Sequence, residues 1–195
     1  RSLRELREAG YFPGAVSNYL ARLGHYFGHD DFKDLDGLAA EFELERLAKS
    51  PSKYDAHQLL SWQHQAIEKA GLGTLWDWMG EPVHHLVADE HRDEFIEAIR
   101  PNITFPDQAL KWAQVLFTDP LNLDDEAREI VAEAGSSFFR AALEAIDEYS
   151  DDFKAFANAV KAATGAKGRG LFMPLRVALT GQTGGPEMNR VLPLL

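Results

Sequence analysis

Apolar residues recur at the helical period in every long segment of this chain, and no run of them alternates with period two. A strand half-buried in a sheet must place apolar residues at every second position, so the pattern leaves little room for sheet. The expectation is an all-α chain, cut into helices by local start and stop signals. Ser2 followed by Glu5 predicts a capping box for a helix over Leu3 to Ala9, with Gly10 as its left-handed end. Pro13 opens a second helix bearing Ala15, Val16, Tyr19, Leu20 and Leu23, closed by Gly24, with Tyr19 and Leu20 expected in the core. A third is expected over Leu35 to Phe42, and Asp55 is placed to cap a fourth over His57 to Lys69.

Gly71 and Gly73 mark a boundary, after which Leu75, Trp76, Trp78 and Met79 begin a second helical set. Arg100, Pro101 and Asn102 break the pattern. Phe105 to Phe117 resumes it, with Pro120 as the expected stop. Asp124 to Tyr149 reads as one or two helices turning Ile130, Val131, Phe138, Phe139, Leu143 and Ile146 inward, and Asp151 to Ala163 as another turning in Phe153, Phe156 and Val160. Cysteine is absent, which excludes disulfides, thiolate metal ligands and a cysteine nucleophile. His84, His85 and His91 lie near Asp89 and Glu90, but not at the spacing of a zinc helix, and read as solvated histidines; no metal site is expected. No apolar run is long enough to span a bilayer and no signal-peptide pattern is present, so a cytoplasmic setting with no membrane partner is expected. An opening at Arg1 without methionine fits a fragment or a processed product.

The formal net charge of −11 argues against a general duplex binder, which usually presents a basic face. The acids are unevenly spread, however. They crowd the segment from Asp124 to Asp152, whereas from Phe153 onward Lys154, Lys161, Lys167, Arg169, Arg176 and Arg190 face only Glu187. Local field matters more than the total. Within this basic end, Gly168 to Met188 combines an apolar run, a single arginine at its centre and a loop of Thr180, Gly181, Gly184, Gly185 and Pro186. Pro174 is suited to the first position of a helix there. An arginine on an apolar helix beside a glycine loop suits the reading of an anion or a base, and it equally suits a side chain snorkelling out of a core helix.

The wording of that stretch, FMPLRVALTGQTGGPEM, closely resembles the C-terminal signature of bacterial glutamyl-tRNA synthetases. The resemblance extends to REAGYFPGAVSNYLARLG near the start, where Asn18 and Tyr19 keep the motif's identities, and to the phrase ahead of Asp55. It is weakest from Gly71 to Leu121. In the helix after Asp55 the lysine, asparagine and tyrosine of the family pattern are replaced, so the contacts they would make are open. The resemblance implies a helical stem-contact segment over residues 1–70, followed by two α-helical anticodon-binding domains of a class I aminoacyl-tRNA synthetase over 71–130 and 131–195. The implied partner is glutamate tRNA or glutamine tRNA, and the implied state a monomer.

The nucleotide-contacting motifs of that enzyme class are missing, and GHYFGH at Gly24 to His29 is only a superficial echo of one. No catalytic residue and no cofactor are therefore expected in this chain; ATP and magnesium belong to the parent enzyme. The resemblance implies instead that Arg176, Gly185, Pro186 and Met188 meet the first two anticodon letters. It also implies that Asn102 stands where family members demanding C as third letter carry an arginine. Asparagine is short, neutral and both donor and acceptor, so weak third-letter discrimination is expected through it. Asn102 equally suits an ordinary turn or N-cap residue. The alternatives are a synthetase-like paralogue charging glutamine tRNA and a stand-alone helical module that docks protein.

Overall fold

The computed structural model describes residues 2–49, 51–118 and 121–195. Among them there is no strand; an isolated antiparallel bridge joins His25 and Leu47. The helices are α1 (Leu3–Glu8), α2 (Pro13–Gly24), α3 (Leu35–Ala40), α4 (Ala56–Lys69), α5 (Leu72–Met79), α6 (Glu81–His84), α7 (Arg92–Ile99), α8 (Pro106–Phe117), α9 (Asp125–Ile146), α10 (Phe153–Thr164), α11 (Arg169–Thr180) and α12 (Met188–Val191). Their contacts divide the chain into two compact units, residues 1–79 with 103–108 and residues 80–102 with 109–195. The expected stop of α8 at Pro120 lies outside the described residues, and the helix ends at Phe117.

In the first unit, α2 packs on α4. The Ser2–Glu5 capping box forms as its residues predict, and Asp55 accepts from the backbone N–H groups of His57 and Gln58. Leu6, Tyr11, Ala15, Tyr19, Leu59, Trp62 and Ala66 make the core. Leu20 does not join them: it is 50% exposed, because Ala15 and Tyr19 define the buried face and Leu20 falls one residue off it. The buried amide of Gln63 is the polar hub. It donates to the carbonyls of Gly10 (3.1 Å) and Thr104 (3.0 Å) and accepts from the N–H of Phe12 (2.9 Å). Its stem reaches three backbone groups at once, and Trp78 Nε1 shares the Gly10 carbonyl at 2.7 Å. Gly10 has φ +89, and a Cβ there would meet Pro106 Cδ at 2.5 Å, so its place in the turn requires glycine.

Asn18 is fully buried and fully used. Its Nδ2 donates to Gly14 and Lys33 carbonyls, and its Oδ1 accepts from the Lys33 N–H and from Arg22. The loop from Asp31 to Lys33 is thereby fixed to α2, which accounts physically for the asparagine that the motif retains. Tyr19 contributes its hydroxyl as an acceptor for the Asp55 N–H at 2.6 Å.

In the second unit, α9, α10 and α11 pack around Phe138, Ala142, Ala145, Phe156, Val160, Leu171, Leu175 and Leu192. Helix α9 is two helices joined at Gly135, whose φ of 76° and ψ of 165° lie in a region that side-chain-bearing residues rarely adopt. Leu143 points out and is 70% exposed, contrary to the sequence pattern. The buried seam runs through Phe138, Ala142 and Ala145, where alanines let α10 and α11 come close, and Leu143 lies one position off it. Pro174 also departs from expectation: it sits inside α11, not at its first position. Its missing N–H removes the helical donor to the carbonyl of Gly170, but Gly170 is exposed in the first turn, where that loss costs least.

Candidate nucleic-acid interface

Helix α11 ends as its sequence dictates. Gly181 takes the left-handed conformation (φ 67°) and donates to the Val177 carbonyl, and a Cβ on it would press within 3.1 Å of the Asn122 carbonyl oxygen. Thr180 is buried; its hydroxyl donates to the Arg176 carbonyl at 2.8 Å and accepts from the Gln182 N–H at 3.2 Å. The TG pair of the motif therefore sets how the loop leaves the helix. Arg176 then holds the loop's far side, donating from Nη1 to the Pro186 carbonyl at 2.9 Å. Burial pulls the Arg176 pKa below its ordinary value, with no acidic partner to offset it. A guanidinium stays charged regardless, so a cation sits half-buried with donors to spare.

Gly185 is fixed by a different contact. Its φ is 133°, and a Cβ there would fall inside 3.0 Å of Trp112 Cη2 and Cζ2. The loop backbone passes too close to the Trp112 indole for a side chain, and glycine permits the approach. Pro186 and Met188 are buried, so neither offers a free side-chain face of any extent.

Two clefts open beside this loop. One, of about 340 Å³, is lined by Arg100, Pro101 and Asn102 from one segment and by Gly185, Glu187 and Arg190 from another. It brings together Asn102 and Gly185, which the sequence reading treated separately. Asn102 is exposed at the end of a short 3-10 turn, Arg100–Asn102. It is not the residue that caps α8: the N–H groups of Thr104 and Phe105 both donate to Gln108 Oε1. The second cleft, about 350 Å³, is lined by Phe153, Phe172, Arg176, Glu187, Met188 and Asn189. Here Arg176 and Met188 meet two aromatic rings, whose centroids are 6.4 Å apart. Phe172 is 50% exposed. Glu187 borders both clefts.

Phe153, Phe172, Glu187, Arg190 and Trp112 were not singled out by the sequence. One signal was there: Phe172 and Arg176 are four apart, on one helical face, and off the Leu171–Leu175 seam. Trp112 and Phe153 come from distant segments and are brought in by packing, whereas Glu187 and Arg190 sit within or just beyond the same stretch as Gly185. The first unit has a cavity of about 460 Å³ lined in part by Arg22, His25, Tyr26 and Trp62. Its arginine is already committed, lying 4.2 Å from the Trp62 ring centroid and bonded to Asn18 and to the Asp31 carbonyl.

The sequence profile of the anticodon binding domain matches residues 56–195. The chain belongs to the anticodon-binding domain family. It is 50% identical over its full length to glutamate–tRNA ligase 2 of Nitrosococcus oceani and 43% identical to glutamate–tRNA ligase 1 of Methylococcus capsulatus. It spans 41% and 42% of those proteins, so it corresponds to about two fifths of the relatives it matches. Among solved structures, a glutamate tRNA ligase from Elizabethkingia meningosepticum superposes with a TM-score of 0.80 over 97% of this chain and 39% of that one, at 21% identity. A glutamate–tRNA synthetase from Elizabethkingia anophelis gives 0.73 at the same coverage and identity. This likeness fixes the fold as the all-α one expected. No helix among the described residues is long and apolar enough to cross a membrane.

Proposed function

We propose that this anticodon-binding domain is the tRNA-recognising C-terminal part of a ligase that attaches glutamate to tRNA with ATP. Residues 1–70 contact the tRNA stem and the remainder, 71–130 and 131–195, holds the anticodon loop. The observation that carries the reading is a convergence. The arginine of the PLRVALTG helix binds the loop that follows it, and that loop shares a cleft with Asn102, from a distant turn. These are the residues that the resemblance implicated on separate grounds. Unstacked anticodon bases are recognised by guanidinium, backbone and stacking groups, and the two clefts offer all three: Arg176 and Arg190, the Gly184–Gly185 backbone, and Phe172 with Phe153.

The resemblance places ATP and magnesium, and with them adenylate chemistry, in the part of the parent enzyme outside this chain. Purified chain is expected to give no glutamate-dependent pyrophosphate exchange. Filter binding to a glutamate tRNA transcript tests the main reading: saturable binding that an unrelated tRNA competes poorly supports it, and no binding favours a protein-docking module. Aminoacylation of glutamate and glutamine tRNAs by the parent enzyme decides which of the two is charged.

A further inference from the structure

The third anticodon letter needs a group that pairs with a base edge, and at the position implicated by resemblance this chain has only Asn102. The cleft beside it supplies what the turn lacks. Arg190, on α12, lines the same space as Asn102, Gly185 and Glu187. We infer that Arg190, with Glu187, reads the third anticodon letter in place of an arginine at position 102. This rests on the anticodon-binding function proposed above.

The pairing state of the cleft's charges argues for Arg190 over its neighbour Arg100. The Arg100 side chain is 18% exposed and holds Glu97, itself 45% exposed, at 3.0 Å, so its guanidinium is committed. Arg190 is 49% exposed, and its carboxylate contacts, to Glu97 and to Glu187, are both 3.9 Å long. Its single hydrogen bond is a 3.3 Å one from Nη1 to the Glu97 carbonyl. Of five guanidinium N–H donors, most remain for a ligand. Glu187 is 76% exposed and offers two acceptor oxygens in the same cleft. Asn102 adds an amide that donates or accepts.

A base edge carries both donors and acceptors, so a cleft with an arginine facing a carboxylate fits it better than it fits a phosphate. Cytosine presents N3 and O2 to a guanidinium fork and its N4 amino group to a carboxylate. Guanine presents O6 to the guanidinium and N1–H with N2–H to the carboxylate, a two-point contact. Arg190 therefore serves either letter, whereas Glu187 favours G. A volume near 340 Å³ lies at the low end of small-ligand clefts, which suits one flat base.

The test uses binding of the chain to three transcripts that differ only at the third letter: C, G and an abasic site. Arg190→Ala is expected to weaken binding to the C and G transcripts about 5- to 150-fold, the scale of a good bidentate base contact. It should leave binding to the abasic transcript near wild type. Glu187→Gln should weaken G more than C, because one of two acceptor oxygens is lost. If the Arg190→Ala loss persists in full on the abasic transcript, Arg190 holds the RNA backbone and the inference is overturned. It is equally overturned if Arg190→Ala lowers the thermal midpoint but leaves affinity per folded molecule unchanged. Arg190→Lys guards against misfolding: it keeps the charge but lacks the fork, and should lose the base-dependent part of binding. Should Arg176→Ala weaken binding while Arg190→Ala does not, only this inference fails. Should neither weaken it, the anticodon-binding reading fails as well.

Discussion

Replacing Gly185 with alanine probes the loop most sharply, because the structure sets two separate costs on that one methyl group. The backbone has φ 133°, a region that L side chains rarely adopt, which costs about 1–3 kcal/mol. The methyl would also fall inside 3.0 Å of two Trp112 ring atoms, where ordinary carbon contacts are about 3.5–4.0 Å. Trp112 is part of a packed helix and retreats only at the expense of its neighbours, so overpacking adds about 1–3 kcal/mol. Together the loss is about 2–6 kcal/mol, a large share of the about 5–15 kcal/mol that holds a typical domain. Thermal unfolding followed by far-ultraviolet dichroism should show a midpoint lower by at least about 4 °C. A double-mutant cycle with Trp112→Ala separates the costs: the steric part should vanish in the double variant, and the backbone part should remain. Affinity for tRNA per folded molecule should also fall, since the displaced loop carries the Pro186 carbonyl that Arg176 binds. A Gly185→Ala midpoint within about 0.5 kcal/mol of wild type would refute the reasoning, because surface substitutions without such conflicts do no worse.

Arg176→Ala should weaken tRNA binding by about 1–3 kcal/mol if the guanidinium contacts a base. The bond to Pro186 gives the guanidinium a structural role as well, and a loss of about 1–3 kcal/mol of stability is expected beside it. Titration of affinity against the fraction folded separates the two effects. Gln63→Leu should destabilise the first unit by about 2 kcal/mol or more, since Phe12 and Thr104 each lose a partner while Gly10 keeps its bond from Trp78; a urea midpoint close to wild type would contradict the hub. Glu41 is held below its ordinary pKa of 4.5, first by the hydrogen bond from Lys33 and then by that from His29. Its contribution is therefore complete above about pH 4.5 and fades as pH falls through the lowered folded value. Glu41→Gln should flatten that part of the stability profile, and an unchanged acid limb would argue against the Lys33–Glu41–His29 cluster.

The helical order of the fold was legible because its signals are local. Ser2 with Glu5, Asp55, Pro13 and Gly181 each act within one turn of chain, and each does what its chemistry predicts. Errors arose where neighbouring elements decide. Leu20 and Leu143 fit an apolar stripe by type, but the buried seam is chosen by what packs against it, and alanines win where helices come close. Pro174 looked like a start because its local cost is lowest there; an exposed Gly170 carbonyl makes the interior position tolerable instead. The candidate site was half legible. Arg176 and Gly185 stand out within one continuous stretch. The partners that give them meaning, Trp112 against Gly185 and Asn102 lining the cleft with Gly185 and Arg190, come from elsewhere in the chain, and no sequence spacing encodes that proximity.

The central claim is that this chain recognises the bases of an anticodon. Base-selective chemical probing of a glutamate tRNA transcript bound to the chain measures it directly, because the reagents attack the Watson–Crick edges that Arg176, Arg190 and the Gly184–Pro186 loop would cover. The account predicts protection of the anticodon letters, reduced by Arg176→Ala at equal occupancy. Bound tRNA with all three letters as reactive as in the free transcript would contradict it.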